Sequence, residues 1–366
     1  MATLALPFVV SLLLSLLFGG AVVEKLAQAK ARQPISDDAP DAHKLKHGTP
    51  TMGGLLILAT TLLATPFGLW HSYTQYMKIA GGVNAASNPA FNWWIYLAAP
   101  AIIVLLVFAL ACGIGVLDDL GKARKKLNGA GLSERTKLGL QFAVAAFFVL
   151  YLWMVSTLGV KGFTTAIYFN GYWLDLGQFY YLFVLLYLPF FGNAVNFTDG
   201  LDGLASGTTL IAALTMGAIA AVGSPALGVP AFYGAVAGAC TGFLWFNAYP
   251  AKVFMGDTGS LALGMGMAAA AVVLKQELLF LVVGAVYVAE IFSMMLQRYV
   301  FKYRRVKHGI EYAKANRVFR RAPLHHHFEE LGLRETQVVA RFYVAALLLA
   351  AIGVLLAPYL SFGGAR

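Results

Sequence analysis

Long apolar runs alternate with short polar stretches along nearly the whole chain. Ten runs reach or approach the roughly 20 apolar residues that a membrane-crossing helix needs. They cover about 4–23, 52–70, 93–116, 138–158, 179–197, 204–222, 230–247, 259–274, 278–300 and 338–358. The eighth is short, and only "KQE" (Lys275–Glu277) separates it from the ninth. The pattern predicts an all-α polytopic membrane protein of about ten transmembrane helices, folded as one integral-membrane domain over residues 1–366. Small residues within the runs predict close helix packing. Gly234, Gly238 and Gly242 recur at four-residue spacing in the seventh run. "GMGMAA" from Gly264 has the outline of a dinucleotide fingerprint, but no strand precedes it and it reads as packing.

Composition strengthens this picture. The chain is 59% hydrophobic and 12% charged, whereas a soluble domain carries about 25% charge. The first run has no basic segment before it, so it reads as a retained span and not as a cleaved signal peptide. Cys112 and Cys240 lie in apolar runs without metal-binding or redox spacing, and are expected to be small core residues.

The charges fall mostly on one side. With ten spans, the loops 24–51, 117–137, 198–203, 248–258 and 301–337 share a membrane face. Together with Arg298 and Arg341 at span ends, they hold all of the 27 Lys and Arg except Lys78, Lys161, Lys275 and Arg366. Basic loops stay cytoplasmic, so both termini are expected outside. The net charge of +10 is then an inward-facing ring suited to anionic membrane lipids. Nucleic acid is a poor partner, since no binding module for it is present.

The residues with chemical potential fall in those same loops. "GVLDDLGKARKK" closes the third run with Asp118 and Asp119, followed by Lys122, Arg124, Lys125 and Lys126. "VNFTDGLDGLASG" holds Asn196, Asp199 and Asp202, and "WFNAYPAKVFMGDTGS" holds Asn247, Lys252, Phe254 and Asp257. Carboxylates are hard oxygen ligands suited to Mg²⁺, which completes its shell with water and substrate phosphates. Lysines and Gly-rich backbone suit phosphate oxygens. Singly, each motif has a plain structural reading: an interfacial cap, an Asp-Gly turn, a topology signal. Five Asp in three loops at one face point to a diphosphate site. "GVLDDLGKA" is no Walker A loop, because the glycine spacing is wrong and Ala123 stands where Ser or Thr is required.

Taken together, "KHGTPTMGG" (Lys46–Gly54), "GVLDDLGK", "NFTDGLDGLA", "AKVFMGDTGS" and "APLHHHFE" closely resemble the phospho-N-acetylmuramoyl-pentapeptide-transferase family. That family belongs to the polyprenyl-phosphate N-acetylhexosamine-1-phosphate transferase superfamily. The resemblance implies Mg²⁺-dependent transfer of phospho-MurNAc-pentapeptide from UDP-MurNAc-pentapeptide to undecaprenyl phosphate, with release of UMP. It implies a bacterial inner-membrane enzyme of peptidoglycan synthesis with a cytoplasmic active site, and it admits a homodimer. By motif, Asp118, Asp119 and Asp257 are its catalytic aspartates, with Asp257 the metal ligand. Asp199, Gly200, Leu201 and Asp202 match its uridine pocket, and Phe254 the stacking ring. Lys46, Thr51, Asn196, Asn247 and Gln297 match polar groups of the nucleotide site. His325, His326 and His327 match its triple histidine, and Lys122, Lys126 and Lys137 its basic groups. The expected chemistry is direct attack by the lipid phosphate with Asp118 as base; the rival is a two-step route through an aspartyl-phosphate.

Two other readings compete: a related transferase using UDP-GlcNAc, and a transporter. Transporter sites lie near the midplane, whereas the acidic motifs here sit at span ends. Glu290 alone lies well inside a run, and reads either as functional or as a hydrogen bond between helices. The consecutive histidines suit zinc poorly, since neighbours on a helix point about 100° apart and no Cys completes a shell. They are expected to be substrate-facing donors beside a Mg²⁺–carboxylate site.

Overall fold

The structure, a computed structural model, describes residues 1–29, 48–80, 98–124, 131–158, 164–223 and 228–361. The first half runs α1 (Ala2–Gln28), α2 (Gly54–Ala80), α3 (Ala99–Arg124) and α4 (Glu134–Thr157). A hairpin of β1 (Ala166–Phe169) and β2 (Tyr172–Asp175) follows. The second half holds α5 (Phe179–Thr198), α6 (Leu204–Gly223), α7 (Val229–Asn247), α8 (Gly256–Val273), α9 (Glu277–Val283), α10 (Ala285–His308), α11 (Ile310–Ala315), α12 (Leu324–Glu330) and α13 (Glu335–Leu360). Among the described residues, nine helices are long and apolar enough to cross a membrane, or ten if α9 and α10 count as one span.

At the centre stands α8. Beyond its first turn its sequence is small or apolar on every side, so it can be surrounded without a polar face to solvate, and 89% of its span is buried. The helices α3, α5 and α2 pack around it. Close approach explains the small residues in the seventh span. A Cβ on Gly234 or Gly238 would lie 2.1 Å from the carbonyl oxygen of Leu4 or Phe8, so α7 lies directly against α1. Gly264 likewise abuts the Phe191 carbonyl of α5, in keeping with a packing role for "GMGMAA". Cys112 and Cys240 are free and buried.

Three features depart from the expected pattern. The chain is not purely helical: β1 and β2 pair antiparallel, Ala166 opposite Asp175 and Phe169 opposite Tyr172. Their turn is Asn170-Gly171, both with positive φ, the sequence and backbone that favour a two-residue hairpin loop. The expected ninth span, 278–300, is broken, because α9 and α10 meet at Gly284 with a bend of 78°. The apolar run "LLFLVVGAVYVA" hides that break, since hydropathy does not register direction. Finally, α3 continues beyond its apolar run, placing Asp118, Asp119 and Lys122 on its last two turns.

Candidate active site

One end of the bundle gathers the chemistry. Asp118 and Asp119 come from the end of α3, Lys137 from the start of α4, Asn196 and Asp199 from the end of α5, and Asp257 from the first turn of α8. Neighbours on a helix diverge, so the paired aspartates do different things. Asp119 faces the start of α8 and accepts from Thr258 N at 3.1 Å, Thr258 Oγ1 at 2.7 Å and Asp257 N at 3.3 Å. It therefore caps that helix, whose first N–H groups lack internal partners. Gly256 makes the approach possible. Its φ is +73°, and a Cβ there would lie 2.4 Å from Asp119 Oδ2.

Asp118 faces the lysines. Its Oδ2 lies 2.6 Å from Lys122 Nζ and 3.0 Å from Lys137 Nζ, and its Oδ1 accepts from Leu132 N at 2.8 Å. The same two ammonium groups reach Asp257 Oδ2: Lys122 at 3.3 Å, and Lys137 in direct contact. Asn196 Nδ2 donates to Asp257 Oδ1 at 2.8 Å and to Ser260 Oγ at 2.8 Å. One oxygen from each of Asp118, Asp119 and Asp257 falls within 4.8 Å of the others. Three carboxylates thus face two ammonium groups, so the cluster has room for a further cation. Hard oxygens at this spacing are a donor set that Mg²⁺ accepts.

The turn after α5 borders this cluster. Asp199 neighbours Asp257, Asp119 and Asp202; burial first, then those carboxylates, push its carboxyl well above the usual range, opposed by the Gly256 N–H. The shift favours the acid form, which can donate a hydrogen bond. Asp202 accepts from Ala251 N at 3.0 Å, and its own N–H donates to Glu335 at 2.8 Å. Leu201 is buried. Phe254 is half-buried, and its backbone is bonded to Pro50 and Gly53. Thr51 is buried beside Gly256, with a hydroxyl that has no hydrogen-bond partner among the described residues.

Other expected site residues also make bonds within the fold. Asn247 accepts from Gly203 N and Ser206 Oγ and donates to Val253 O, and so joins two loops. Gln297 accepts from Phe319 N. The three histidines diverge because α12 is helical. His325 is buried against Gly200 and Glu290. His326 lies 2.7 Å from Glu329, and burial holds its imidazole down at about 4 against the pull of that carboxylate. His327 accepts from Arg320 N. Lys46 and Lys126 lie outside the described residues. Sequence reasoning missed the roles of Thr258, Ser260 and Leu132 N. Only the first two had a signal, as hydroxyls within "GDTGS".

Comparison with known proteins places the chain. Residues 46–58 match the phospho-N-acetylmuramoyl-pentapeptide-transferase signature 1, and residues 101–275 match glycosyl transferase family 4. The chain is 42% identical to the phospho-N-acetylmuramoyl-pentapeptide-transferase of Gemmatimonas aurantiaca, over 96% of this chain and 92% of that protein. It is 38% identical to the enzyme so named in Oceanobacillus iheyensis, over 96% of each chain. It is 40% identical to that of Desulforudis audaxviator, over 94% of this chain and 95% of that one.

Proposed function

The chain belongs to the phospho-N-acetylmuramoyl-pentapeptide-transferase family, and from that premise we propose how its residues carry the reaction. The enzyme is a multi-pass membrane transferase of peptidoglycan synthesis. It transfers phospho-MurNAc-pentapeptide from UDP-MurNAc-pentapeptide to undecaprenyl phosphate. A phosphate oxygen of the lipid attacks the phosphorus next to the sugar; the bond to the uridine-side phosphate breaks, and UMP leaves with that electron pair. The observation that carries this reading is the meeting of Asp118, Asp119 and Asp257 with Lys122 and Lys137.

Asp257 is the residue that would hold Mg²⁺, with Asp119 at its side fixing the α8 terminus. Bound there, the ion supplies charge neutralisation for the diphosphate. Lys122 and Lys137 turn from the carboxylates to the phosphate oxygens and stabilise the charge that builds in phosphoryl transfer. That movement frees Asp118 Oδ2 to take the last proton of the lipid phosphate, whose pKa lies near 6. The 199–202 turn, with Phe254, receives the uridine.

The acceptor approaches from the lipid. An apolar groove of about 450 Å³ runs between α4, α5 and α9, lined among others by Leu138, Phe142, Phe183, Leu186 and Phe190. One of its lining residues, Leu138, follows Lys137 in the chain, and a tail lying in it is taken to direct its phosphate toward the ammonium groups. The distribution of basic loops supports a cytoplasmic location for this end of the bundle and outward-facing termini, in the bacterial cytoplasmic membrane. UMP release with both substrates and Mg²⁺ should fall sharply in Asp118→Asn and Asp257→Asn; full activity in both would refute the site. A phosphorylated protein formed from the UDP-sugar without lipid would replace direct attack by the two-step route.

A further inference from the structure

The mechanism above leaves one buried carboxylate unexplained. Glu290 is fully buried in α10 and turns both oxygens to a single residue. Oε1 accepts from the His325 N–H at 3.2 Å, and Oε2 lies 3.1 Å from His325 Nδ1. The bend at Gly284 re-aims α10 so that Glu290 faces α12. The other ring nitrogen, Nε2, is buried and has no hydrogen-bond partner among the described residues. It points onto Gly200, where a Cβ would lie 2.2 Å away, so the turn that begins with Asp199 leaves room for it. Leaving a buried ring nitrogen without a hydrogen bond costs stability. A carboxylate that served only to join two helices would have no need to arrange one.

A carboxylate on Nδ1 can only accept, so the proton of a neutral ring stays on Nδ1 and the lone pair stands at Nε2. We infer that Glu290 is a positioning residue: it fixes the ring and tautomer of His325 so that Nε2 accepts a hydrogen bond from a hydroxyl or N–H of the nucleotide-sugar donor at the 199–202 turn. This rests on the assignment of that turn to the donor under the proposed function.

The isosteric variant Glu290→Gln tests it. The glutamine oxygen still accepts from the His325 N–H, but its amide nitrogen donates to Nδ1. The ring proton moves to Nε2, and a donor stands where an acceptor stood. In full-length protein with ¹⁵N-labelled histidine, the His325 ring signals, assigned by their loss in His325→Gln, should exchange tautomer. KM for UDP-MurNAc-pentapeptide should rise about tenfold, the scale of one hydrogen bond, with KM for undecaprenyl phosphate unchanged. The Glu290→Gln, His325→Gln double variant should be no worse than His325→Gln alone. An unchanged tautomer, or equal changes in both KM values, overturns the proposal and leaves Glu290 a tie between helices. Wild-type protein that releases no UMP overturns the donor reading of the turn; tautomer exchange in that case supports the ring positioning alone.

Discussion

Each end of the bundle sets lysine against carboxylate, in opposite ways. At the far end, Lys275 donates to Glu277 Oε1 at 2.9 Å, the Tyr180 hydroxyl at 2.7 Å and the Thr164 carbonyl at 3.2 Å. Its ammonium also sits 3.9 Å above the Tyr180 ring. The Lys275 and Glu277 side chains are 4% and 1% exposed. Burial draws the ammonium below its ordinary range, with Glu277 opposing. At the site end, three carboxylates share two ammonium groups, and Lys122 and Lys137 remain 23% and 20% exposed. The first arrangement is closed and balanced. The second has surplus negative charge and cations that can change partner. Buried pairing alone therefore does not mark function; under the proposed function, unequal numbers and partial access separate the two ends.

Four experiments can break or sharpen that contrast. Asp257→Asn should lower UMP release by at least about 10³-fold with helix content intact by circular dichroism, since it removes charge stabilisation at the reacting phosphates. Lys137→Met should cost about 10²-fold in turnover, because under the proposed function Lys122 remains to meet the diphosphate. At the far end, Lys275→Met strands a buried carboxylate and should destabilise the protein by about 3–5 kcal/mol, read as thermal unfolding in detergent. Its kcat at low temperature should match wild type, and a collapse of kcat in still-folded protein would erase the distinction between the ends. The smallest effect belongs to His326. Its ring is held neutral in the fold, at about 4 against an ordinary 6.5. The stability this gives is complete above pH 6.5 and lost as pH falls toward 4. His326→Gln should flatten that acid-side fall in Tm by about 2–4 °C, measured across the same window.

The spans were legible because hydrophobicity is a local property, read residue by residue. Direction is not local: nothing in "VVGAVY" says that the chain turns by 78° at Gly284. The hairpin had a signal in Asn170-Gly171, overshadowed by the apolar pattern around it. The carboxylate cluster was legible as a set of motifs on one face, and the structure brings Asp118, Asp119 and Asp257 together. The division of labour between Asp118 and Asp119 was not, because it depends on which face of α3 meets the start of α8. The histidine motif was read as a set of substrate-facing donors. A helix separates them, and only His325 meets the turn at Gly200.

The central helix carries one more consequence. Bilayer thickness acts on helices that lipid touches, tilting them or deforming the membrane at fractions of a kcal/mol per Å of mismatch. Such contact is nearly absent for α8, with 89% of its span inside the protein against 22% for α1. Its 18 residues extend ~27 Å at ~1.5 Å per residue, and being short of the ~30 Å hydrocarbon layer carries no penalty for a helix that meets no lipid. The depth of Asp257 is therefore set by packing alone. A thicker or thinner membrane re-tilts α1, α4 and α13 around a fixed pivot, and the spacing of the carboxylates is insulated from lipid composition.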